Sequence, residues 1–195
     1  MSKPVTFDSK AGSALNGVLA APPGDGKAPA LVLLQEWWGV NDHIKSLVDR
    51  FAKAGFLVIA PDLYHGKIAK DGTEAASLMT DLDTLEAVKE IAAAMDFVRK
   101  HPRSNGKVGV TGFCMGGALA LATACHVPDV GAAVSFYGMP PAEKVDYAKV
   151  TAPVMMHIGE HDEWVTTKKA GHIRDQIEKT GRHVELHIYV ANHAF

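Results

Sequence analysis

The sequence predicts an α/β fold, with a mostly parallel central sheet and helices on both of its faces. Short runs of almost entirely apolar residues recur along the chain, which is the pattern of strands buried on both faces. Between these runs lie longer stretches whose apolar residues repeat at helical spacing. Strands that alternate with helices form parallel sheets. The 195 residues, 47% of them hydrophobic, predict a single domain over 1–195 with a sizeable core.

The first half of the chain begins with loosely alternating residues and continues with apolar runs and helical repeats. Turn signals such as Asn16-Gly17 favour antiparallel pairing near the N-terminus. The elements predicted are, in order, one or two edge strands within 5–21, a buried strand at 30–34, a helix from Asn41 or Asp42 to about residue 54, a buried strand at 56–60, and a helix at 83–99.

The second half repeats the alternation and ends on a strand. The predicted elements are a strand at 107–111, a sharp turn at 112–116, a helix from Met115, strands at 130–136 and 152–159, a helix at 166–180, and a strand at 184–190. The chain stops soon after, at Phe195. Because a sheet face of this kind is normally covered by a closing helix, we expect that helix to be missing and the sequence to be incomplete at its C-terminus.

Charge and composition exclude several classes of partner. The net charge is −2 and the isoelectric point is about 6.5, which gives no basic field for nucleic acid or anionic lipid. No apolar run reaches the ~18 residues of a membrane span, and the N-terminus lacks an apolar leader. The two cysteines, Cys114 and Cys125, are too far apart along one predicted helix to form a disulfide. We therefore expect a monomer in the reducing cytoplasm, where Cys114 stays a free thiol.

The turn Gly112-Phe113-Cys114-Met115-Gly116 is the strongest chemical signal in the chain. A residue at the centre of such a strand-turn-helix motif is held in a strained conformation that pushes its side chain out above the sheet edge. The start of the following helix favours a thiolate at this position. The pattern predicts that Cys114 is a nucleophile, although a buried cysteine acting as a small hydrophobe is the alternative. The glycine spacing fits neither a dinucleotide nor a phosphate loop.

Polar side chains at the carboxyl ends of the predicted strands complete a possible catalytic set. In such sheets, reactive groups gather at this edge, and here they are Glu36, Cys114, Asp162 and His193. The chain order of nucleophile, acid and histidine is that of an α/β-hydrolase triad. His193 would activate the thiol and Asp162 would orient the imidazole. Alternatives remain: His193 as an ordinary loop residue, His161, His183 or His187 in its place, Asp162 as a helix cap, and Glu160 or Glu163 as the acid.

Other groups near these strand ends are candidates for substrate binding. The backbone N–H groups of Met115 and Trp37 could stabilise an oxyanion. Trp38 and Tyr64 could line an apolar pocket, with simple core packing as the alternative. Glu36 lies among apolar residues, where desolvation is expected to raise its pKa. The histidines show no metal-ligand spacing, so we expect neither a metal nor a cofactor.

Six short motifs together resemble the dienelactone hydrolase family, the carboxymethylenebutenolidase-like branch of the α/β-hydrolases. They are spread over nearly the whole chain in the order found in that family. The motifs are Gln35-Glu36-Trp37-Trp38-Gly39, Ala60-Pro61-Asp62-Leu63-Tyr64, Ser104-Asn105-Gly106-Lys107-Val108-Gly109, Gly112-Phe113-Cys114-Met115-Gly116-Gly117, Gly159-Glu160-His161-Asp162 and Asn192-His193-Ala194-Phe195.

The resemblance implies a hydrolase that acts on a small-molecule ester or lactone, typically the enol-lactone ring of a dienelactone. It also implies a triad of Cys114, Asp162 and His193, with Glu36 holding the resting thiol until substrate binds. Family members specific for dienelactones bind the substrate carboxylate with arginines, and no arginine lies between Arg50 and Arg99 here. The physiological substrate therefore stays open. Alternatives are a non-catalytic ligand-binding homologue and a thiol redox protein using Cys114 and Cys125.

Overall fold

The strands and helices follow the alternating order predicted from the sequence. The computed structural model describes residues 1–9 and 11–195; Lys10, inside the range predicted to hold edge strands, lies outside the described residues. The strands are β1 (Lys3–Asp8), β2 (Ala14–Ala20), β3 (Ala28–Leu34), β4 (Leu57–Pro61), β5 (Ser104–Phe113), β6 (Ala133–Phe136), β7 (Val154–Gly159) and β8 (Val184–Tyr189). The α-helices are α1 (Asp42–Lys53), α2 (Gly72–Asp81), α3 (Thr84–Lys100), α4 (Met115–His126) and α5 (Thr167–Glu178), and 3-10 turns lie at Ala142–Lys144 and Tyr147–Lys149.

The chain divides into two compact units, Met1–Gly109 and Val110–Phe195. In the first unit the strand order is β1-β2-β4-β3, with β1, β2 and β4 paired antiparallel and β3 paired parallel to β4. Only β1 is therefore the edge strand expected near the N-terminus, because β2 has a neighbour on each side. The single domain predicted over 1–195 stays a prediction.

The first unit is held by apolar strands that pack against two amphipathic helices. Every residue of β4 is buried, as are all but one of β3. Helices α1 and α3 pack on these strands. Asn41 caps α1 by accepting a hydrogen bond from the N–H of Ile44, which decides between the two cap residues considered from the sequence. Asp83 caps α3 in the same way.

In the second unit, the last four residues of β5 and strands β6, β7 and β8 are paired parallel in that order. The register aligns Phe113, Phe136, His157 and His187 in a row across the strands. Helix α4 packs on β6, and α5 packs on β7 and β8. Because all four strands run the same way, the loops that follow them leave from one edge. Cys114, Asp162 and His193 all follow strands of this group.

Two differences from the sequence-based expectation have local causes. The strand predicted at 130–136 is shorter, because pairing begins only at Ala133, after the bend at Gly131. Before residue 83, where the sequence shows only weak helical spacing and the elements predicted above include none, lies a separate helix, α2, capped by Asp71. Among the helices in the described part of the chain, none is both long and apolar enough to cross a membrane.

Candidate active site

Cys114 lies at the sharp turn between β5 and α4, as the glycine pattern predicts. Its backbone has φ +54° and ψ −116°, a strained left-handed conformation for a residue with a side chain. A Cβ at Gly112 would lie 2.4 Å from both the carbonyl carbon and the oxygen of Gly116, so the turn closes only with glycine there. The N–H of Cys114 donates to the Phe136 carbonyl of the neighbouring strand at 3.0 Å. The thiol is thus held at the strand edge on a tightly constrained backbone.

Helix α4 begins at Met115, directly after the cysteine. Its sequence is apolar on all sides, and ten of its twelve residues are buried. The Ala118 N–H donates to the Cys114 carbonyl at 3.1 Å, which ties the cysteine to the first turn of the helix. The positive end of the helix dipole therefore points at Cys114, where it favours negative charge. The backbone N–H of Met115 lies at this end, as expected for an oxyanion donor.

Asp162 is fixed by the turn that follows β7. Its side chain is fully buried, and Oδ1 accepts hydrogen bonds from the N–H groups of Trp164 and Val165, each at 2.9 Å. Helix α5 is capped by Thr166 and not by Asp162. Asp162 therefore caps the turn before the helix and keeps Oδ2 for another partner. The alternative acids, Glu160 and Glu163, are exposed.

His193 joins the buried acid to the cysteine. Nδ1 of the imidazole lies 2.7 Å from Asp162 Oδ2, and Nε2 lies 3.3 Å from Cys114 Sγ. With its proton on Nδ1, the ring donates to the carboxylate and leaves Nε2 to accept the thiol proton. About 20% of the His193 side chain is exposed. The structure thus brings together the three side chains predicted from chain order.

The competing histidines are placed differently. His183, just before β8, and His187, within β8, are both exposed, and His187 Nε2 lies 3.4 Å from Glu185 Oε2. His161, next to Asp162, is exposed, and its backbone N–H donates to the Ala191 carbonyl at 3.0 Å. Of the imidazoles considered from the sequence, the one bonded to Asp162 is that of His193.

Two aromatic residues that the sequence did not single out touch His193. The ring centroid of Tyr137 lies 5.1 Å from that of His193, and the centroid of Trp164 lies 4.8 Å from it. Tyr137 directly follows β6, so the rule that collected the other residues at strand ends would also have found it. Trp164 follows Asp162 by two residues. The contact between its indole and His193 is visible only once the turn has folded.

The remaining predicted residues lie in the first unit. Glu36, Trp37 and Trp38 are half-buried in the loop after β3, and Tyr64 is buried in the loop after β4. Because β3 and β4 are parallel, both loops leave from the same edge of this unit's sheet. The loops are tied together twice: the Leu63 N–H donates to Gln35 Oε1 at 3.2 Å, and the Ala69 N–H donates to the Trp38 carbonyl at 3.0 Å.

A cavity of about 290 Å³ opens beside Tyr64. Four carboxylate residues line it, together with His65 and Lys67, and His65 Nε2 lies 3.4 Å from Glu90 Oε1. Burial raises the pKa of Glu90, the neighbouring His65 opposes this shift, and Glu86 and Asp62 add to it. Such an acidic lining would repel an anionic lactone, so we do not assign this cavity to substrate. The carboxylates are Asp81, Asp83, Glu86 and Glu90.

Comparison with known proteins identifies the family. The family model described as the dienelactone hydrolase family matches residues 15–195. The chain belongs to the dienelactone hydrolase family. Over its whole length it is 36% identical to protein usf of Aquifex pyrophilus, covering 87% of that protein, and 30% identical to carboxymethylenebutenolidase 1 of Cupriavidus pinatubonensis, covering 86%.

A solved structure supports the same assignment. A candidate dienelactone hydrolase from Klebsiella pneumoniae aligns with a TM-score of 0.88 and 25% identity, over 100% of this chain and 88% of that one. The α/β-hydrolase fold predicted from the sequence is confirmed. The chain is therefore a hydrolase, in a family of enzymes that act on lactones and esters.

Proposed function

We propose that this enzyme cleaves a lactone or carboxylic ester through a covalent acyl-thioester on Cys114, with His193 as base and then acid and Asp162 as its orienting partner. One observation carries the proposal: a single imidazole lies 3.3 Å from the cysteine sulfur and 2.7 Å from a buried carboxylate. An activated nucleophile needs a base within hydrogen-bond reach and a third group that orients the base.

The first half of the reaction forms the acyl-enzyme. Nε2 of His193 takes the thiol proton, and the Cys114 thiolate attacks the carbonyl carbon of the substrate. The tetrahedral intermediate collapses as the C–O bond of the ester breaks, and the imidazolium returns its proton to the leaving oxygen. In a lactone this oxygen stays attached to the acyl chain, so ring opening releases nothing.

The second half returns the free enzyme. His193 removes a proton from water, the resulting hydroxide attacks the thioester carbonyl, and the C–S bond breaks. The thiolate leaves as the carboxylic acid forms, and the imidazolium gives its proton back to Cys114. Throughout, Asp162 keeps the Nδ1 proton in place and stabilises the imidazolium. The carboxylate accepts three hydrogen bonds, from His193, Trp164 and Val165, and these bonds hold it in place for this role.

The negative charge on the substrate oxygen needs N–H donors. Met115 at the start of α4 is the donor supported by its place beside Cys114. Trp37 as the second donor, Glu36 as the group that holds the resting thiol, and Trp38 and Tyr64 as pocket residues stay predictions from the sequence and the family resemblance. The roles of Glu36, Trp38 and Tyr64 can each be tested by substitution of that residue alone. The Trp37 donor is a backbone N–H, so its test is Trp37→Pro, which removes that group.

For the substrate we propose an enol-lactone of the dienelactone type. The support is the family itself and the relatives named as carboxymethylenebutenolidases. Family members specific for dienelactones carry an arginine for the substrate carboxylate before the long helix, which is α3 here. This chain has no counterpart, since the segment between Arg50 and Arg99 contains no arginine. Lys67 and Lys70 could supply only a point charge. We therefore expect a weaker preference for anionic lactones than an arginine clamp would give.

The proposal is tested by comparing the enzyme with Cys114→Ala and Cys125→Ala on an activated aryl ester and a dienelactone. Cys125 is the matched control, because it lies in the helix that follows Cys114 but is buried, and burial raises its pKa to about 12. We expect Cys114→Ala to lose turnover of both substrates and Cys125→Ala to keep it. Full activity of Cys114→Ala would overturn the proposal, and loss of activity in both variants would favour the redox alternative, which needs both thiols.

A further inference from the structure

The imidazole of His193 contacts two aromatic rings. The ring centroids of Tyr137 and Trp164 lie 5.1 Å and 4.8 Å from its own, and each ring is tilted by 63° to it. Tyr137 is 5% exposed, whereas Trp164 is 64% exposed. Trp164 is therefore a large apolar side chain on the surface that packs against a proposed catalytic residue. Hydrophobic burial gives little reason for a tryptophan to be placed there.

Each ring is fixed by the same backbone that places the proposed catalytic groups. Tyr137 adopts φ +39°, and its N–H donates to the His157 carbonyl at 2.8 Å. The N–H of Trp164 donates to Asp162 Oδ1, so the turn that orients the carboxylate also directs the indole. The Trp164 carbonyl in turn accepts from Lys169 Nζ of α5 at 3.4 Å. The indole position is thereby coupled to the carboxylate that holds His193.

Both rings lie within the distance at which an aromatic face attracts a cation. A cation within about 6 Å of an aromatic centroid is stabilised by the ring, and tryptophan is the strongest partner. His193 becomes a cation whenever it takes the thiol proton. The titratable groups that face it are the Cys114 thiol, the Asp162 carboxylate and the Tyr137 phenol; Glu160, His161 and Glu163 are exposed in the turn that carries Asp162.

We propose that Trp164 is a positioning residue that favours the imidazolium form of His193 and so increases the share of Cys114 present as thiolate. The indole acts through the histidine and needs no contact with substrate. This inference rests on the proposed function, because it requires that His193 takes the thiol proton of Cys114. Tyr137 packs against the same imidazole and adds a second aromatic contact.

The test is the pH dependence of alkylation of Cys114 by iodoacetamide, followed by mass spectrometry. The alkylation rate should rise with pH and level off at a plateau once Cys114 is fully thiolate. In Trp164→Ala the rate at pH values below this plateau should fall about 2- to 10-fold, because the thiolate–imidazolium pair loses its aromatic partner. The curve of rate against pH should therefore move to higher pH. The plateau at high pH should stay unchanged. Trp164→Phe should restore most of the rate. Ile188→Ala, which removes another exposed apolar side chain of the same unit, should match the original enzyme.

Steady-state kinetics on the aryl ester provide the second measurement. Trp164→Ala should lower kcat, with KM changed less than twofold, and Trp164→Phe should recover kcat. A profile of Trp164→Ala that overlays the original, or a fall in alkylation that is equal at every pH, would overturn the inference. These outcomes are separable from failure of the proposed function, which is decided by the activity of Cys114→Ala without reference to Trp164.

Discussion

At the scale of single residues, Asp162 gives the sharpest test of how the histidine is held. In Asp162→Asn, the side-chain oxygen can still accept from the N–H groups of Trp164 and Val165, so the turn should survive. The amide would then present its NH₂ to His193 Nδ1 and force the proton onto Nε2, which removes the acceptor for the thiol proton. We expect kcat to fall about 1,000- to 10,000-fold with little change in KM.

The control for this substitution is Glu160→Gln, which neutralises an exposed carboxylate two residues before Asp162. It should leave kcat within about twofold, because exposed charges contribute little. A loss of less than tenfold in Asp162→Asn, with the fold intact by circular dichroism, would mean that the carboxylate does not orient His193.

At the scale of secondary-structure elements, the turn after β6 packs closely against the start of α4. A Cβ at Gly138 would lie 2.2 Å from the Ala118 nitrogen and 2.3 Å from the Cys114 carbonyl oxygen. Backbone atoms must therefore move in Gly138→Ala, and we expect a loss of about 1 to 3 kcal/mol in the free energy of unfolding. Catalytic activity should also fall, by more than the loss of stability explains, because the displaced atoms belong to the turn that carries Cys114.

The matched control is Gly171→Ala in α5, where an added Cβ would meet no atom within 4 Å. Alanine is the better helix former, so this variant should gain about 0.5 to 1 kcal/mol and keep its activity. Urea unfolding of the two variants measures both effects. Equal stability changes in Gly138→Ala and Gly171→Ala would show that the close contact at Gly138 relaxes without cost.

At the scale of the whole molecule, acid should weaken the fold through His157. Burial lowers the pKa of this imidazole, neighbouring His187 lowers it further, and Glu185 partly opposes the shift. The ring is stacked between Phe136 and His187, and its Nδ1 lies 2.8 Å from the Tyr189 hydroxyl. A lowered pKa means that the folded protein binds fewer protons than the unfolded chain at acidic pH.

The stabilising effect of neutral His157 is therefore complete above its ordinary pKa of about 6.5 and is lost as the pH falls through the lower value of the folded state. We expect the free energy of unfolding to decrease as the pH falls through about 6.5 and further into the acidic range. His157→Phe keeps an aromatic ring in the stack and should reduce that decrease. His43→Gln, an exposed position on α1, serves as control. An undiminished pH dependence in His157→Phe would rule out this histidine as its source.

Much of the fold could be predicted because its apolar runs and caps are local signals. The buried strands at 30–34 and 56–60 were predicted from the sequence, and the cap of α1 was narrowed to Asn41 or Asp42. The neighbours of β2 were not, since strand order depends on pairing between distant segments. Chain order likewise predicted which groups would meet at His193. Tyr137 was open to the same argument, because it directly follows β6. The ring of Trp164 could not be assigned to His193, because that contact depends on how the turn after β7 folds.

The proposed mechanism requires a covalent bond to Cys114, and its most direct test is to trap that bond. Acid quenching during turnover of an activated aryl ester, followed by intact-mass and peptide analysis, should find one acyl group on the peptide that contains Cys114. In His193→Ala this adduct should form far more slowly, and in Cys114→Ala it should be absent. Steady turnover with no adduct on Cys114, or with the acyl group on another residue, would contradict the assigned nucleophile.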